Sequence, residues 1–229
     1  MKRVVNGMLN RFGRWILVAG AVVALAGAVH ASPILIFNTG VDTFGNPLPN
    51  GTVGAPNYFL TSVPGGTKDT LVRSSIGGFP IPPYIGDDAL SAWIGPNNDG
   101  ALDGPAGTYS YRTTFDLTGL NPTTASLTIA WSTDNNGLDV LLNGSSTGHT
   151  TDFAQFSLGF STFTINSGFA AGINTLDFMV NNGGDSPNPT ALRTEITGTA
   201  DSSGVPEPMS LVLLGSGLAA LGMLRRRTA

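Results

Sequence analysis

The sequence predicts an all-β protein, an antiparallel two-sheet β-sandwich, on three observations. From Tyr109 onward apolar residues recur with period two over several separate runs. Gly, Asn, Asp, Ser and Pro cluster between those runs, as turn formers do. Between residues 32 and 201 no stretch carries the 3.6 period of a core helix. Nine or ten half-buried strands in series close most readily into a sandwich of the jelly-roll kind.

In order, Ile34 to Asn38 is the first expected strand, and Gly40 to Pro56, rich in Gly, Pro and Asn, a long loop. Tyr58 to Val63 and Thr70 to Ser75 flank Pro64-Gly65-Gly66 as two further strands. Gly77 to Asp88 carries three prolines and is irregular; Leu90 to Ile94 is a short strand holding Trp93, followed by turn formers from Asn97 to Gly104. Tyr109, Tyr111, Thr113, Phe115 and Leu117 then share one face, and Ala125, Leu127, Ile129 and Trp131 share another. Leu138, Val140 and Leu142 end at Asn143-Gly144, a hairpin signal. Phe163 with Ile165, Leu176 with Phe178 and Val180, and Leu192 with Thr194 and Ile196 complete the series.

The two ends read differently. Lys2, Arg3, Arg11 and Arg14 precede an apolar run from Trp15 to Val29, and Ala31 before Ser32 supplies a small-residue cleavage site. Residues 1–31 therefore read as a secretory signal peptide with a signal helix, Ala31 and Ser32 flanking the cut. At the other end Pro206 and Pro208 stop any helix running back, and the sixteen residues Met209 to Leu224 are uncharged. As a transmembrane helix they span roughly 24 Å, short of a ~30 Å hydrocarbon core, and Arg225, Arg226 and Arg227 form a basic stop. Cations flank both apolar runs on their terminal sides, which places everything between them on the far side of the membrane. Ser202 to Gly204 reads as a short flexible linker.

Val205-Pro206-Glu207-Pro208, the apolar run and the Arg triplet, in that order, resemble the PEP-CTERM sorting signal, also labelled the ice-binding protein C-terminal domain. The resemblance covers about 25 residues (205–229), with Pro206, Glu207, Pro208, Arg225, Arg226 and Arg227 as its motif. It implies a Gram-negative exported protein that signal peptidase and an exosortase process. The expected route is an inner-membrane-anchored precursor facing the periplasm, then the cell surface or the exterior, in the setting of exopolysaccharide and biofilm. It says nothing about ice.

The domain between the ends, 32–201 with its linker, holds four basic against fourteen acidic side chains, a net −10 compared with −4 for the whole chain. That balance excludes nucleic acid and anionic lipid as partners and is compatible with calcium or neutral sugars. Cys is absent, so no disulfide framework is available. Tyr111 to Leu117, Ala125 to Trp131, Asp134-Asn135-Asn136 and Ala171 to Asn181 resemble a galactose-binding-like jelly roll. This resemblance implies the fold; no ligand residue carries over.

Chemistry is thin. Gly144-Ser145-Ser146-Thr147-Gly148 has the letters of a nucleophile elbow, yet no His follows His149 and no helix pattern follows the Ser, so it reads as a hairpin loop. His149 is the sole histidine of the domain, which excludes His triads and multi-His zinc sites and leaves a solvated loop residue. Glu195, the domain's only Glu, sits two residues from Arg193 and reads as half of a surface ion pair. Asp99 with Asp103, and Asp134 with Asn135, Asn136 and Asp139, offer hard oxygens of the kind calcium takes; turn chemistry explains the same residues without a metal. Trp93 and Tyr84 are the candidates for stacking on sugar rings, with packing as the alternative for Trp93, while Trp131 is in phase with the core.

The expected function is thus an exported carbohydrate- or matrix-interacting module without catalysis or cofactor, with extracellular polysaccharide as partner. The alternatives are a structural surface or adhesion protein, stiffened by calcium or not, and a glycan-active hydrolase.

Overall fold

A computed structural model describes residues 31–65, 70–72, 82–96, 103–184, 188–203 and 215–218. The signal helix, most of the C-terminal apolar run, the sorting residues Pro206, Glu207, Pro208 and Arg225 to Arg227, and Asp99 lie outside them. Two units divide the chain: Val29–Gly204, and Met1–Ala28 with Val205–Ala229. Of the second, only one exposed helical turn at 215–218 is described. Among the described residues no helix is long and apolar enough to cross a membrane.

The first unit is an antiparallel β-sandwich. Its strands are β1 (Ala31–Pro33), β2 (Phe59–Ser62), β3 (Thr70–Val72), β4 (Ile94–Pro96), β5 (Asp103–Gly104), β6 (Gly107–Asp116) and β7 (Ser126–Asp134). They continue with β8 (Gly137–Leu142), β9 (Ser145–Ser146), β10 (Ser161–Ile165), β11 (Ile173–Asn182), β12 (Asn188–Pro189) and β13 (Ala191–Asp201). One sheet runs β10-β7-β13-β4-β3 with β1 also on β13; the other runs β2-β6-β11-β8-β9; β12 and β5 form a small ribbon. The longest pairings join distant segments, β6 to β11 from Asp116↔Ile173 to Gly107↔Asn182 and β7 to β13 from Ser126↔Thr199 to Asp134↔Ala191.

Period-two patterning sends Tyr109, Tyr111 and Phe115 inward from β6, Leu127, Ile129 and Trp131 from β7, Leu176, Phe178 and Val180 from β11, and Leu192 and Ile196 from β13. Trp131 meets Phe178 at 5.9 Å and Phe163 at 6.2 Å between ring centres, so the largest side chain ties the two sheets together. At the Asn143-Gly144 signal the chain takes φ +52° and +79°, the two left-handed residues of a type I′ hairpin between β8 and β9.

Two boundaries depart from the sequence expectation. The first strand is Ala31–Pro33 rather than Ile34 to Asn38. Ile34 N–H and Thr39 N–H still donate to Gly198 and Thr194 carbonyls, but between them it is the Asn38 side chain that accepts from Ile196 N–H, which interrupts the ladder. Leu90 is not in a strand because Asp88 Oδ1 accepts from the Leu90 and Ser91 amides and turns the chain there. The chain enters and leaves the sandwich at one place. Ala31 pairs with Asp201, Ser32 Oγ lies 3.3 Å from Ser202 Oγ, and Ser203 N–H donates to Gly119 O. Ser202 and Ser203, the first two residues of the expected linker, are thus hydrogen-bonded to the sandwich.

Candidate functional site

Ala191, paired with Asp134, and Arg193, paired with Ser132, lie on the outer face of β13, opposite Leu192 and Thr194. The segment 82–93 and the short helix α1 (Gln155–Leu158) cover this face. Ser132 Oγ donates to Gln155 O, and Ile85 N–H donates to Phe156 O. Trp93 and Ala191 form a small apolar cluster there, with Tyr84, Ile85 and Phe156 packed around it.

Arg193 fastens the cover. At 1% exposed, it donates through Nε to Ser91 Oγ at 2.7 Å, through Nη1 to Gly86 O and through Nη2 to Asp88 at 2.8 Å, with Glu195 at 3.5 Å. Its guanidinium carbon also stands 5.0 Å from the Phe160 ring centre. The expected surface ion pair with Glu195 is corrected: Arg193 is a buried anchor with several partners. Burial opposes ionisation of Asp88, but the Leu90 and Ser91 amides and Arg193 outweigh it and hold that carboxyl below its ordinary range. Burial, the largest effect at Asp87, raises its carboxyl above that range although Trp93 N–H donates to it.

Beside this layer lies the loop end of the sandwich, where β7 turns into β8 and β11 runs into the ribbon of β5 and β12. Asparagines organise it. Asn135 N–H donates to Asn181 O, and Asn181 N–H to Asn136 O, so the turn is stitched onto β11. Asn135 Oδ1 accepts from Gly183 N–H at 2.6 Å, Asn181 Nδ2 donates to Asn136 Oδ1 at 3.2 Å, and Asn182 Nδ2 donates to Gly104 O at 2.8 Å. A Cβ built on Gly183 would sit 3.4 Å from Asn135 Oδ1, 3.5 Å from Phe153 Cε2 and 3.7 Å from Asn181 Nδ2. Three side chains thus converge on one glycine, and Phe153, 62% exposed, presents its ring beside the amides. Asn136 Nδ2 and Asn181 Oδ1 carry no partner among the described residues. An open ring beside a free amide donor and acceptor suits a ligand with an apolar face and hydroxyl rim.

No family model matches the sequence, and no curated protein matches it. Among solved structures the chain is similar to a CBM35 from Paenibacillus barcinonensis at 17% identity, over 63% of this chain and 98% of that one, with a TM-score of 0.31. A superposition that loose transfers no site.

Tyr84, Trp93 and Asp134 are brought together at the loop end, and Asp103 lies nearby in β5, which pairs with β12. Asp139 belongs to the other sheet, opposite Met179. Trp93 as an open stacking ring is corrected: it is fully buried, its Nε1–H donates to Ile85 O and its ring meets Tyr84 edge-on at 5.3 Å. Tyr84 is half-buried; it packs on Phe156 at 4.6 Å and its hydroxyl donates to Asp134 Oδ2. Asp134 is 4% exposed, its other oxygen accepts from Asn135 Nδ2, and burial pushes its carboxyl up to about 7. Asp139 Oδ1 accepts from the Val140 and Gly148 amides. Among the described residues no group of three or more His, Asp or Glu stands in position to hold a metal ion. His149 is half-buried and stacked on Phe163 at 3.8 Å rather than a freely solvated loop residue.

Sequence reasoning passed over Phe153, Asn181 and Gly183. The Asn181 to Gly184 run was the available signal. Phe153, in a segment without period-two company, could be told from a core ring only by the fold.

Proposed function

We propose that the protein is an exported, non-catalytic sandwich of the galactose-binding-like jelly-roll type that holds neutral carbohydrate at its loop end. Phe153 carries the reading: an exposed ring set against the Asn135–Asn136–Asn181 network is what a pyranose needs, an apolar platform flanked by amide donors and acceptors. Asp134, the carboxyl bonded into that network, is buried under Tyr84 and Asn135, which favours binding over the paired-carboxylate chemistry of glycoside hydrolysis. The domain's net −10 favours neutral polymers over polyanions.

The export half of the proposal rests on the termini. Signal peptidase cuts between Ala31 and Ser32, the apolar run 209–224 holds the precursor in the inner membrane, and an exosortase reads Pro206, Glu207, Pro208 and the Arg225 to Arg227 stop. The product then meets extracellular or biofilm polysaccharide at or beyond the cell surface. A glycan array probed with the purified protein tests the binding half: retention by neutral polysaccharides supports it, and an empty array sinks it.

A further inference from the structure

A second concavity opens on the side of the sandwich. The β8–β9 hairpin ends one sheet and β10 ends the other, and a groove of about 330 Å³ runs between them. Such a volume lies in the ~300–1,000 Å³ range of small-molecule sites. Its apolar lining is Leu142 and Ile165, both core residues. Around these stand the hydroxyls of Ser145, Ser146, Thr147, Thr164 and Ser167, together with His149, backed by Phe163. Among the described residues no Lys, Arg, Asp or Glu lines it. Thr147 Oγ1 is buried in the wall with no hydrogen-bond partner among the described residues, where buried hydroxyls are normally satisfied.

The chemistry of the lining selects a ligand class. An anion or cation would leave its hydration shell and find no counter-charge. A purely apolar ligand would strand the hydroxyls. A neutral polyol with an apolar face meets Leu142 and Ile165 with its C–H groups and the Ser and Thr hydroxyls with its own. The groove is also remote from the loop end: Ile165 pairs with Leu127, and Asp134 lies seven residues further along β7, roughly 23 Å at ~3.3 Å per residue.

We propose that the groove between the β8–β9 hairpin and β10 is a second neutral-saccharide subsite, separate from the Phe153 platform, so that one domain contacts a polysaccharide at two places. The proposal rests on the carbohydrate reading for its ligand class but on different residues for its site.

The test is titration of the full chain with neutral hexasaccharides (gluco-, manno- and galacto-configured), with hexagalacturonate as anionic control, followed by backbone amide shifts. The variants are Thr164→Trp, which fills the groove, Thr147→Val, which removes the unpartnered hydroxyl at constant shape, and Phe153→Ala. The expected result is that a neutral hexasaccharide moves amides at both sites. Thr164→Trp then abolishes the shifts at Ser145 to Thr147, Thr147→Val weakens that site about tenfold, and both leave the shifts around Gly183 in place. Hexagalacturonate moves no groove amide. If Phe153→Ala removes all binding and the groove variants remove none, the groove proposal fails and the loop-end reading stands. If Thr164→Trp and Thr147→Val remove all binding and Phe153→Ala none, the groove stands and the loop-end reading fails. Wild-type protein that binds none of the hexasaccharides overturns both.

Discussion

Arg193 reaches Asp88 at 2.8 Å from a position that is itself 1% exposed, and this contact spans from a central strand to the covering segment. The same guanidinium also takes Ser91 Oγ and Gly86 O, so one side chain fixes the path of 86–91 over the sheet. Trp93 and Tyr84 are placed by that path, and Tyr84 in turn reaches Asp134.

Replacing the anchor should therefore be severe. Arg193→Met keeps most of the stem but leaves Gly86 O, Ser91 Oγ and Glu195 without their cation. Asp88 is half-exposed and can turn to water, whereas Gly86 O and Ser91 Oγ lose a buried donor. Each buried polar group left unsatisfied costs ~1–3 kcal/mol, and urea unfolding should show a loss of that order. A loss below ~1 kcal/mol would mean that the cover holds without its anchor.

Gly137 faces Trp131 so closely that a Cβ would sit 2.2 Å from Cη2 and 2.5 Å from Cζ3 of the indole. Gly137→Ala must displace the ring that joins the sheets, a cost of ~1–3 kcal/mol or more. Gly86→Ala, where nothing among the described residues lies within 4 Å, is the control and should stay within ~0.5 kcal/mol of wild type. Equal melting midpoints for the two would refute the packing account.

Asp134 makes stability pH-dependent. Burial raises its folded-state pKa from 3.8 to about 7, so the folded chain holds this proton more tightly than the unfolded chain. The stability it contributes is fully present below about pH 4, declines as pH rises and is lost above about pH 7. Asp134→Asn should flatten that decline, by up to ~4 kcal/mol between the two limits, in chemical denaturation at a series of pH values. An unchanged slope would place the titration elsewhere.

Much of the sandwich was legible because its long strands alternate strictly. Tyr109 to Leu117 and Leu127 to Trp131 bury the residues their period selects, and Asn143-Gly144 turns as its letters require. The loop end was not legible, for physical reasons. Trp93 looks open beside Gly- and Asp-rich sequence, but Arg193, a hundred residues away, draws that sequence down over it. Short-range pattern carries no information about such a contact. Asp134, Asn135 and Asn136 look like cation ligands for the same reason; their oxygens are taken by Tyr84, Gly183 and Asn181 from distant segments.

Those commitments predict indifference to calcium. Thermal melts with millimolar calcium and with chelator should coincide, since both Asp134 oxygens and Asp139 Oδ1 already accept hydrogen bonds. A midpoint raised by calcium would point to Asp99 and Asp103 and revive the calcium-stiffened surface protein.

The tail makes a separable prediction. Replacing Glu207 or deleting Arg225 to Arg227 should leave an untrimmed precursor in the membrane fraction. Normally trimmed product in mass spectra of either variant would contradict exosortase processing.

The central claim is that an exposed ring at the loop end holds neutral carbohydrate without catalysis. Calorimetric titration of wild type and Phe153→Ala with the best-retained array polysaccharide tests it most directly. The account predicts that the variant keeps its melting midpoint, because the ring is 62% exposed, and loses at least tenfold in affinity, ~1.4 kcal/mol, with no polymer cleaved by either protein. Undiminished binding by Phe153→Ala, or reducing ends released by the wild type, would contradict it.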